Sequence, residues 1–226
     1  MILKKEDTVG VWLPNVYKEI RNKFSENNKR GKMDIKLQEF LLKINDFKVH
    51  TSITREVNEG EYDVYRHISK EYKPESIFEV GVLFGFSAVS MLWGGIDTVK
   101  EYVGLDIESL REGSNAIAIR NMKLTLRKFS KAENNISFQV VKKVKKEILK
   151  KRFDLVHIDG DHSFEACLFD LSLYYPMAKK FVLVHDYYSK ANPEVKPAIA
   201  EFEKRIGGFK KIQIFNSTQG LFLIEK

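Results

Sequence analysis

The chain has a single cysteine, Cys167, among its 226 residues. One cysteine excludes an internal disulfide and is typical of a reducing compartment. No segment approaches the ~18 consecutive apolar residues of a membrane span. The N-terminal stretch MILKKEDTVG has no apolar run behind its lysines, so we expect no secretory signal. These absences predict a cytoplasmic protein without a membrane partner.

Basic charge is concentrated in one place. The net charge is +7, and Lys142–Arg152, KKVKKEILKKR, holds seven basic residues and one acid. The rest of the chain is therefore almost neutral. Val144, Ile148 and Leu149 recur at helical spacing within this run, which predicts an amphipathic helix over 143–150. Its lysines form either a solvated face or a basic patch that binds a nucleic acid.

Short β-branched or aromatic runs alternate with helical patterns from Ser76 onward. This rhythm predicts parallel strands joined by crossover helices on both faces of one sheet. The last two strands are separated by only five residues, Asn216–Gly220, so they must pair antiparallel. The predicted strands are 77–80, 102–106, 136–141, 153–158, 181–185, 209–215 and 221–225, and the predicted helices after the first strand are 86–93, 115–129, 143–150, 164–175 and 195–206.

The first sixty residues form a different region. Apolar residues at helical spacing predict three helices, the third of which leads into the first strand. We therefore divide the chain into an N-terminal helical segment or cap, 1–60, and an α/β domain, 61–226. The segment either covers a sheet edge or closes over a pocket. The residues that mark the three helices are Val16, Ile20 and Phe24, then Leu37, Phe40, Leu41 and Ile44, then Tyr65, Ile68 and Tyr72.

The turn after the first strand carries Gly81 and Gly85 in the sequence EVGVLFGFS. A glycine turn between a strand and a helix points to a ligand at the carboxyl ends of the strands. The Gly-x-Gly-x-x-Gly of dinucleotide sites and the Gly-Lys-Ser/Thr of phosphate loops are both missing. Glu79 ends the strand with a carboxylate that repels phosphate and attracts a cation. Asp106, about 20 residues past the turn, is where an acid holds ribose hydroxyls. The pattern indicates a nucleoside that carries positive charge.

EVGVLFGFS, Asp106 and the terminal hairpin resemble the class I S-adenosylmethionine-dependent methyltransferase fold. FDLVHIDGDHSFEA and FVLVHDYY resemble one branch of it, the small-molecule O-methyltransferases and the cephalosporin-hydroxylase-like proteins. The resemblance covers 61–226 and implies a doubly wound, mostly parallel, Rossmann-like sheet of seven strands. It implies a cofactor site formed by Glu79, Gly81, Gly85, Ser87, Asp106, Ile107 and Asp159. After the third strand this chain reads VVKKV where many members have Gly-Asp, so the resemblance does not define the adenine pocket there.

Acidic and imidazole groups gather at two neighbouring strand ends. The fourth strand ends in HIDGDH, with Asp159 and His162, and the fifth in VHDYY, with His185 and Asp186. Neighbouring strand ends lie about 5 Å apart, so Asp159 and Asp186 are expected to share a Mg²⁺-like cation. In metal-using relatives the acids at these two positions hold such a cation. We predict Asp159, His162 and His185 as catalytic residues, with His162 as the leading base.

Other polar residues in or near these strand ends are expected to have structural roles. Asp161 and Ser163 are expected to cap the helix from Phe164, and His157 and Cys167 to pack in the core. The preferred function is O-methylation of a small hydroxyl compound, sugar or phenol-like. One alternative is an RNA methyltransferase, although the chain lacks the Asn/Asp-Pro-Pro-Tyr/Phe motif of amino-methylating enzymes. The other is a non-catalytic nucleoside-binding protein.

Overall fold

Seven strands form one sheet in the order β3-β2-β1-β4-β5-β7-β6. The computed structural model describes residues 34–44, 51–130, 136–215 and 217–226. The predicted helix at Val16, Ile20 and Phe24 lies outside these residues. The strands are β1 (Ser76–Val80), β2 (Glu101–Leu105), β3 (Ser137–Val141), β4 (Phe153–Ile158), β5 (Ala178–Val184), β6 (Lys211–Phe215) and β7 (Leu221–Glu225).

Helices connect the strands and precede the first one. Residues 35–226 belong to one compact unit. The described helices are α1 (Ile35–Ile44), α2 (Thr51–Glu59), α3 (Glu61–Tyr72), α4 (Phe86–Gly94), α5 (Ser114–Lys128), α6 (Lys146–Leu149), α7 (Phe164–Tyr174) and α8 (Val195–Ile206), with a 3₁₀ turn at Tyr175–Met177. None of the helices in the described part of the chain has the length and apolar character of a membrane span.

The sheet has the predicted mixture of directions. Strands β1 to β5 pair in parallel, whereas β7 pairs antiparallel with both β5 and β6. Parallel strands covered on both faces are apolar along their whole length, and β4 is buried at all six positions. One core cluster includes Ile77 and Leu155, and the other includes Phe78 and Val156. Side chains of successive strand residues therefore enter opposite layers of the core.

Several predicted boundaries shift. The helix expected over 143–150 is only the single turn α6, preceded by Lys145 in an extended conformation. Lys142 and Lys151, on either side of it, form ion pairs with Glu108 and Glu101. Repulsion between like charges one turn apart opposes a longer helix. Strand β5 begins earlier than expected, at Ala178, and β6 begins later, at Lys211. Helix α2 is not among the helices predicted from the sequence.

Candidate active site

The carboxyl ends of β1, β2, β4 and β5 surround one cleft of about 740 Å³. This volume lies within the range of ~300–1,000 Å³ usual for small-molecule sites. The topology explains the position, because strand order reverses between β1 and β4 and leaves a crevice there. Of the predicted site residues, those that line the cleft are Gly81, Ser87, Asp106, Ile107, Asp159, His162, His185 and Asp186.

The two glycines of the turn allow other parts of the protein to approach closely. Gly81 has φ +81°, and a Cβ added there would lie 1.7 Å from the carbonyl oxygen of Asp159. Gly85 has φ +75°, and its added Cβ would meet Ala118 of α5 at 3.0 Å. Gly85 is thus a packing position behind the cleft wall. Gly81 brings the turn after β1 against the turn after β4, which closes the floor of the cleft.

Asp106 faces the cleft, as the ribose assignment requires, but its carboxylate is already engaged. Oδ2 accepts the backbone N–H groups of Val82 at 3.0 Å and Leu83 at 2.6 Å. Oδ1 accepts the N–H of Glu108 at 2.6 Å. Leu83 has φ 48°, a left-handed conformation that non-glycine residues rarely adopt. The acid therefore fixes the glycine turn while it lines the cleft.

Glu79 lies beneath the cleft rather than on its wall. It is fully buried in β1, where Ser87 and Tyr102 donate their hydroxyl protons to its two oxygens. His157, directly opposite on β4, places Nδ1 3.0 Å from Glu79 Oε1. Tyr65 Oη lies 3.3 Å from the other nitrogen of that imidazole. Glu79 is thus linked to the cleft through Ser87 and, by way of the buried His157, through Tyr65.

The ends of β4 and β5 bring four predicted residues into contact. His162 Nε2 lies 2.8 Å from Asp186 Oδ2 and 3.2 Å from Asp159 Oδ1. His185 Nδ1 lies 3.0 Å from the same Asp159 oxygen. Asn192 also donates to Asp186, at 2.8 Å, and Asp186 has φ 61°. Backbone conformations of this kind concentrate at functional sites.

These contacts stabilise the charged forms of Asp159, His162 and His185. Hydrogen bonds to Asp159 and then Asp186 raise the pKa of His162 to about 10. Burial opposes ionisation of His185, yet Asp159 and Glu61 outweigh it and raise its pKa well above the usual value. Burial likewise opposes ionisation of Asp159, but the two imidazoles hold its pKa well below the ordinary range.

Glu61 lies in the cleft although the sequence did not predict it as a site residue. Glu61, at the start of α3, is buried and accepts hydrogen bonds from His185 Nε2 at 3.1 Å and Ser217 Oγ at 2.8 Å. Tyr62 and Tyr65 of the same helix also line the cleft. The α2–α3 segment therefore forms one wall of the cleft. The sequence signal was an acid at the first position of a helix, and many helices have one without any function.

Three apolar side chains stand exposed around the other end of the cleft. Ile107, Leu110 and Phe169 are 67%, 80% and 62% exposed, and all three line it. Large apolar side chains that share one concave surface are typical of a binding site for an apolar or planar group.

The basic run lies elsewhere. No residue of Lys142–Arg152 lines the described cleft. Lys142 Nζ lies 2.5 Å from a carboxylate oxygen of Glu108, and Lys151 pairs with Glu101.

Comparison with known proteins agrees with this geometry. Residues 78–187 match the model of a family described as a methyltransferase domain. No curated protein matches the chain.

Solved structures with the same fold include an O-methyltransferase of Bacillus cereus in complex with SAH (TM-score 0.55, 14% identity, 94% of this chain and 99% of that one). The SAH-bound methyltransferase PaMTH1 of Podospora anserina superposes with TM-score 0.58 at 14% identity, over 97% of this chain and 98% of that one. The O-methyltransferase TomG of Streptomyces achromogenes, involved in tomaymycin synthesis and bound to SAM, superposes with TM-score 0.52 at 11% identity, over 92% of this chain and 95% of that one. The chain therefore has the fold of the S-adenosylmethionine-dependent methyltransferases, and residues 78–187 are similar to a methyltransferase domain.

Proposed function

We propose that the chain transfers the methyl group of S-adenosylmethionine to a hydroxyl oxygen of a small molecule. The observation that carries the proposal is the meeting of Asp106 with the cluster of Asp159, His162, His185 and Asp186 in one cleft. Two of the solved structures with this fold are O-methyltransferases. A cytoplasmic location is part of the proposal, because the single cysteine is buried and unpaired.

The cofactor is assigned to the β1 and β2 side of the cleft. Asp106 would accept the ribose hydroxyls, Ile107 would contact adenine, and Gly81 and Ser87 would lie beside the methionine part. Glu79 supports this side from below by holding the Ser87 hydroxyl. Its second partner, Tyr102, keeps that carboxylate in place from the neighbouring strand.

Methyl transfer is an in-line displacement in which the acceptor oxygen forms a C–O bond while the C–S bond of the sulfonium breaks. S-adenosylhomocysteine leaves with the electron pair, and the acceptor must lose its proton. Alignment supplies much of the acceleration, and a base accepts the proton. His162, 34% exposed after β4, is the leading base, and it can accept the proton only when it is neutral.

The same carboxylates fit a divalent cation. One ligand atom each of Asp159, His162 and Asp186 lies within 4.8 Å of the other two. Two carboxylate oxygens suit Mg²⁺ or Mn²⁺, and an imidazole suits Mn²⁺ better than Mg²⁺. When bound, such an ion would lower the pKa of the acceptor hydroxyl. It would also replace the imidazolium as the partner of both acids, which leaves His162 as a neutral base or ligand.

A turnover assay tests the proposal. The protein is incubated with S-adenosylmethionine and pools of sugar and phenol hydroxyl compounds, and products one methylene heavier are sought by mass spectrometry. Methylated oxygen is the expected result, and EDTA should lower the rate until Mg²⁺ or Mn²⁺ is restored. An unchanged rate in EDTA would remove the metal from the proposal, and products methylated only on nitrogen or carbon would contradict O-methylation.

A further inference from the structure

The charge of the cleft is opposite to that of the chain. The protein has 38 Lys and Arg against 31 Asp and Glu, yet among the described residues no Lys or Arg lines the cleft. Two imidazoles, His162 and His185, also line it, but carboxylates outnumber them, and such a cleft concentrates ligands of positive charge. The carboxylates that line it are Glu56, Glu61, Asp106, Asp159, Asp161, Asp170 and Asp186.

Several of these acids already have partners within the protein. Asp106 accepts three backbone N–H groups, and Asp159 and Asp186 are paired with His162. Glu61 accepts His185, Ser217 and the backbone N–H of Gln219. The methyl donor carries one sulfonium charge and a metal two more, and both are assigned to the sides of the cleft that Asp106, Asp159 and Asp186 occupy.

Glu56 is different. It lies on α2, and the Tyr62 hydroxyl, at 3.1 Å, is the one hydrogen-bond donor that the described residues give it. No lysine or arginine of the described chain forms an ion pair with it. Burial raises the pKa of Glu56. The charge of His185 opposes this rise, but that imidazole is already hydrogen-bonded to Asp159 and Glu61. A cationic ligand in contact with Glu56 would therefore relieve a remaining cost of its burial.

Aromatic rings accompany Glu56. The ring of Tyr62 lies 6.2 Å from that of Tyr65 and 5.7 Å from that of Phe86, and all three residues line the cleft. The ring of Tyr65 in turn lies 6.0 Å from the imidazole of His185. Aromatic faces beside a carboxylate attract ammonium groups through both cation–π and Coulomb interactions.

We infer that the methyl acceptor carries a protonated amine in addition to its hydroxyl, and that this ammonium group binds at Glu56 beside the ring of Tyr62. The inference rests on the proposed function and names the substrate class of the same site. An acceptor with a phosphate, a carboxylate or a nucleic-acid backbone would meet carboxylates on this wall, and like charges in a cleft of low dielectric repel strongly.

The test measures the sign of the potential at this wall without knowledge of the acceptor. Protein saturated with S-adenosylmethionine and Mg²⁺ is exposed to small nitroxide probes that carry an amine, no charge or a carboxylate. The paramagnetic broadening of the backbone amides of Glu61 and Tyr62 is compared with that of Ile206, which lies on the outer surface. The amine probe should broaden the two cleft amides severalfold more than the carboxylate probe.

Glu56→Gln should bring the ratio of broadening by the amine probe to broadening by the carboxylate probe towards one. Glu59→Gln is the matched control, because Glu59 lies one turn further along α2, is 46% exposed and does not line the cleft. The control should leave the ratio unchanged. Equal broadening by the two charged probes, or an excess for the carboxylate probe, overturns the inference. A methylated product that carries phosphate or carboxylate but no amine overturns it as well.

The same samples separate this inference from the proposed function. If calorimetry shows that S-adenosylmethionine binds while the probes show no preference for the amine, the inference fails and the proposed function stands. If S-adenosylmethionine does not bind, the proposed function fails first.

Discussion

Asp106 Oδ2 accepts the backbone N–H of Leu83 across 2.6 Å, so the acid at the end of β2 holds the turn that follows β1. This contact joins two features that the sequence shows only separately, a glycine turn and an acid about 20 residues later. A ligand that donates hydrogen bonds to Asp106 is thereby placed beside the turn.

Replacement of this acid should weaken cofactor binding. Asp106→Asn removes the charge but keeps one carbonyl oxygen for the turn. Charged hydrogen bonds contribute roughly 1.5–3 kcal/mol, so the dissociation constant of S-adenosylhomocysteine should rise about 10- to 100-fold. Isothermal titration calorimetry measures it, with far-ultraviolet circular dichroism as the control for folding. An unchanged constant would contradict the ribose assignment.

Gly81 should be more sensitive than another glycine of the same conformation. Gly81→Ala adds a Cβ that would lie 1.7 Å from the Asp159 carbonyl, whereas Gly113→Ala, also at φ +81°, meets nothing within 4 Å. The Gly113 variant should lose only the ~1–2 kcal/mol of a left-handed alanine. The Gly81 variant should lose roughly 3–5 kcal/mol, because overpacking adds to that strain. Urea unfolding compares the two, and equal losses would contradict the close approach.

Asp159 should matter more for turnover than for cofactor binding. Asp159→Asn removes the charge that His162 and His185 share. We expect the rate to fall by at least ~100-fold, the size of a general-base contribution, with less than about a threefold change in S-adenosylhomocysteine affinity. Single-turnover kinetics and calorimetry measure the two quantities. A near-normal rate would remove Asp159 from the catalytic cluster.

Asp170 on α7 should make stability depend on pH. Burial, and then the charge of Asp161, raise the pKa of Asp170 to about 6. Between about pH 4 and pH 6 the folded state keeps a proton that the unfolded chain has lost, so the free energy of unfolding falls as pH rises through this window.

Asp170→Asn removes that dependence. Because Asp170 is partly exposed, the expected gain at pH 7.5 is only about 1 kcal/mol relative to the unsubstituted protein, and it should vanish near pH 4. Chemical denaturation at pH 4, 5, 6 and 7.5 measures the difference. A difference that does not change with pH would show that Asp170 titrates normally in the folded state.

The sequence predicted the strand alternation, the parallel core and the antiparallel hairpin, because each has a local signature in apolar runs and turn length. It also predicted that Asp106, Asp159 and Asp186 lie at one edge of the sheet, because the carboxyl ends of parallel strands meet there. It placed Glu79 at the cleft, whereas Tyr102 and His157, neighbours across the sheet, hold that side chain below it.

Other features depend on tertiary contacts without a local signature. Glu61 is a site residue only because α3 packs where His185 and Ser217 can reach it. The interpretation of Lys142–Arg152 as one amphipathic helix did not foresee the ion pairs of Lys142 with Glu108 and of Lys151 with Glu101. The boundary between a cap at 1–60 and a domain at 61–226 remains a prediction, although Glu56 and Glu61 lie on either side of it in the same cleft wall.

The most direct measurement is a calorimetric titration of the protein with S-adenosylmethionine and with NAD⁺ in parallel, each with and without Mg²⁺. The account predicts saturable binding of the sulfonium nucleoside, weakened by Asp106→Asn, and no binding of the dinucleotide. Binding of NAD⁺ with no heat from S-adenosylmethionine would contradict it.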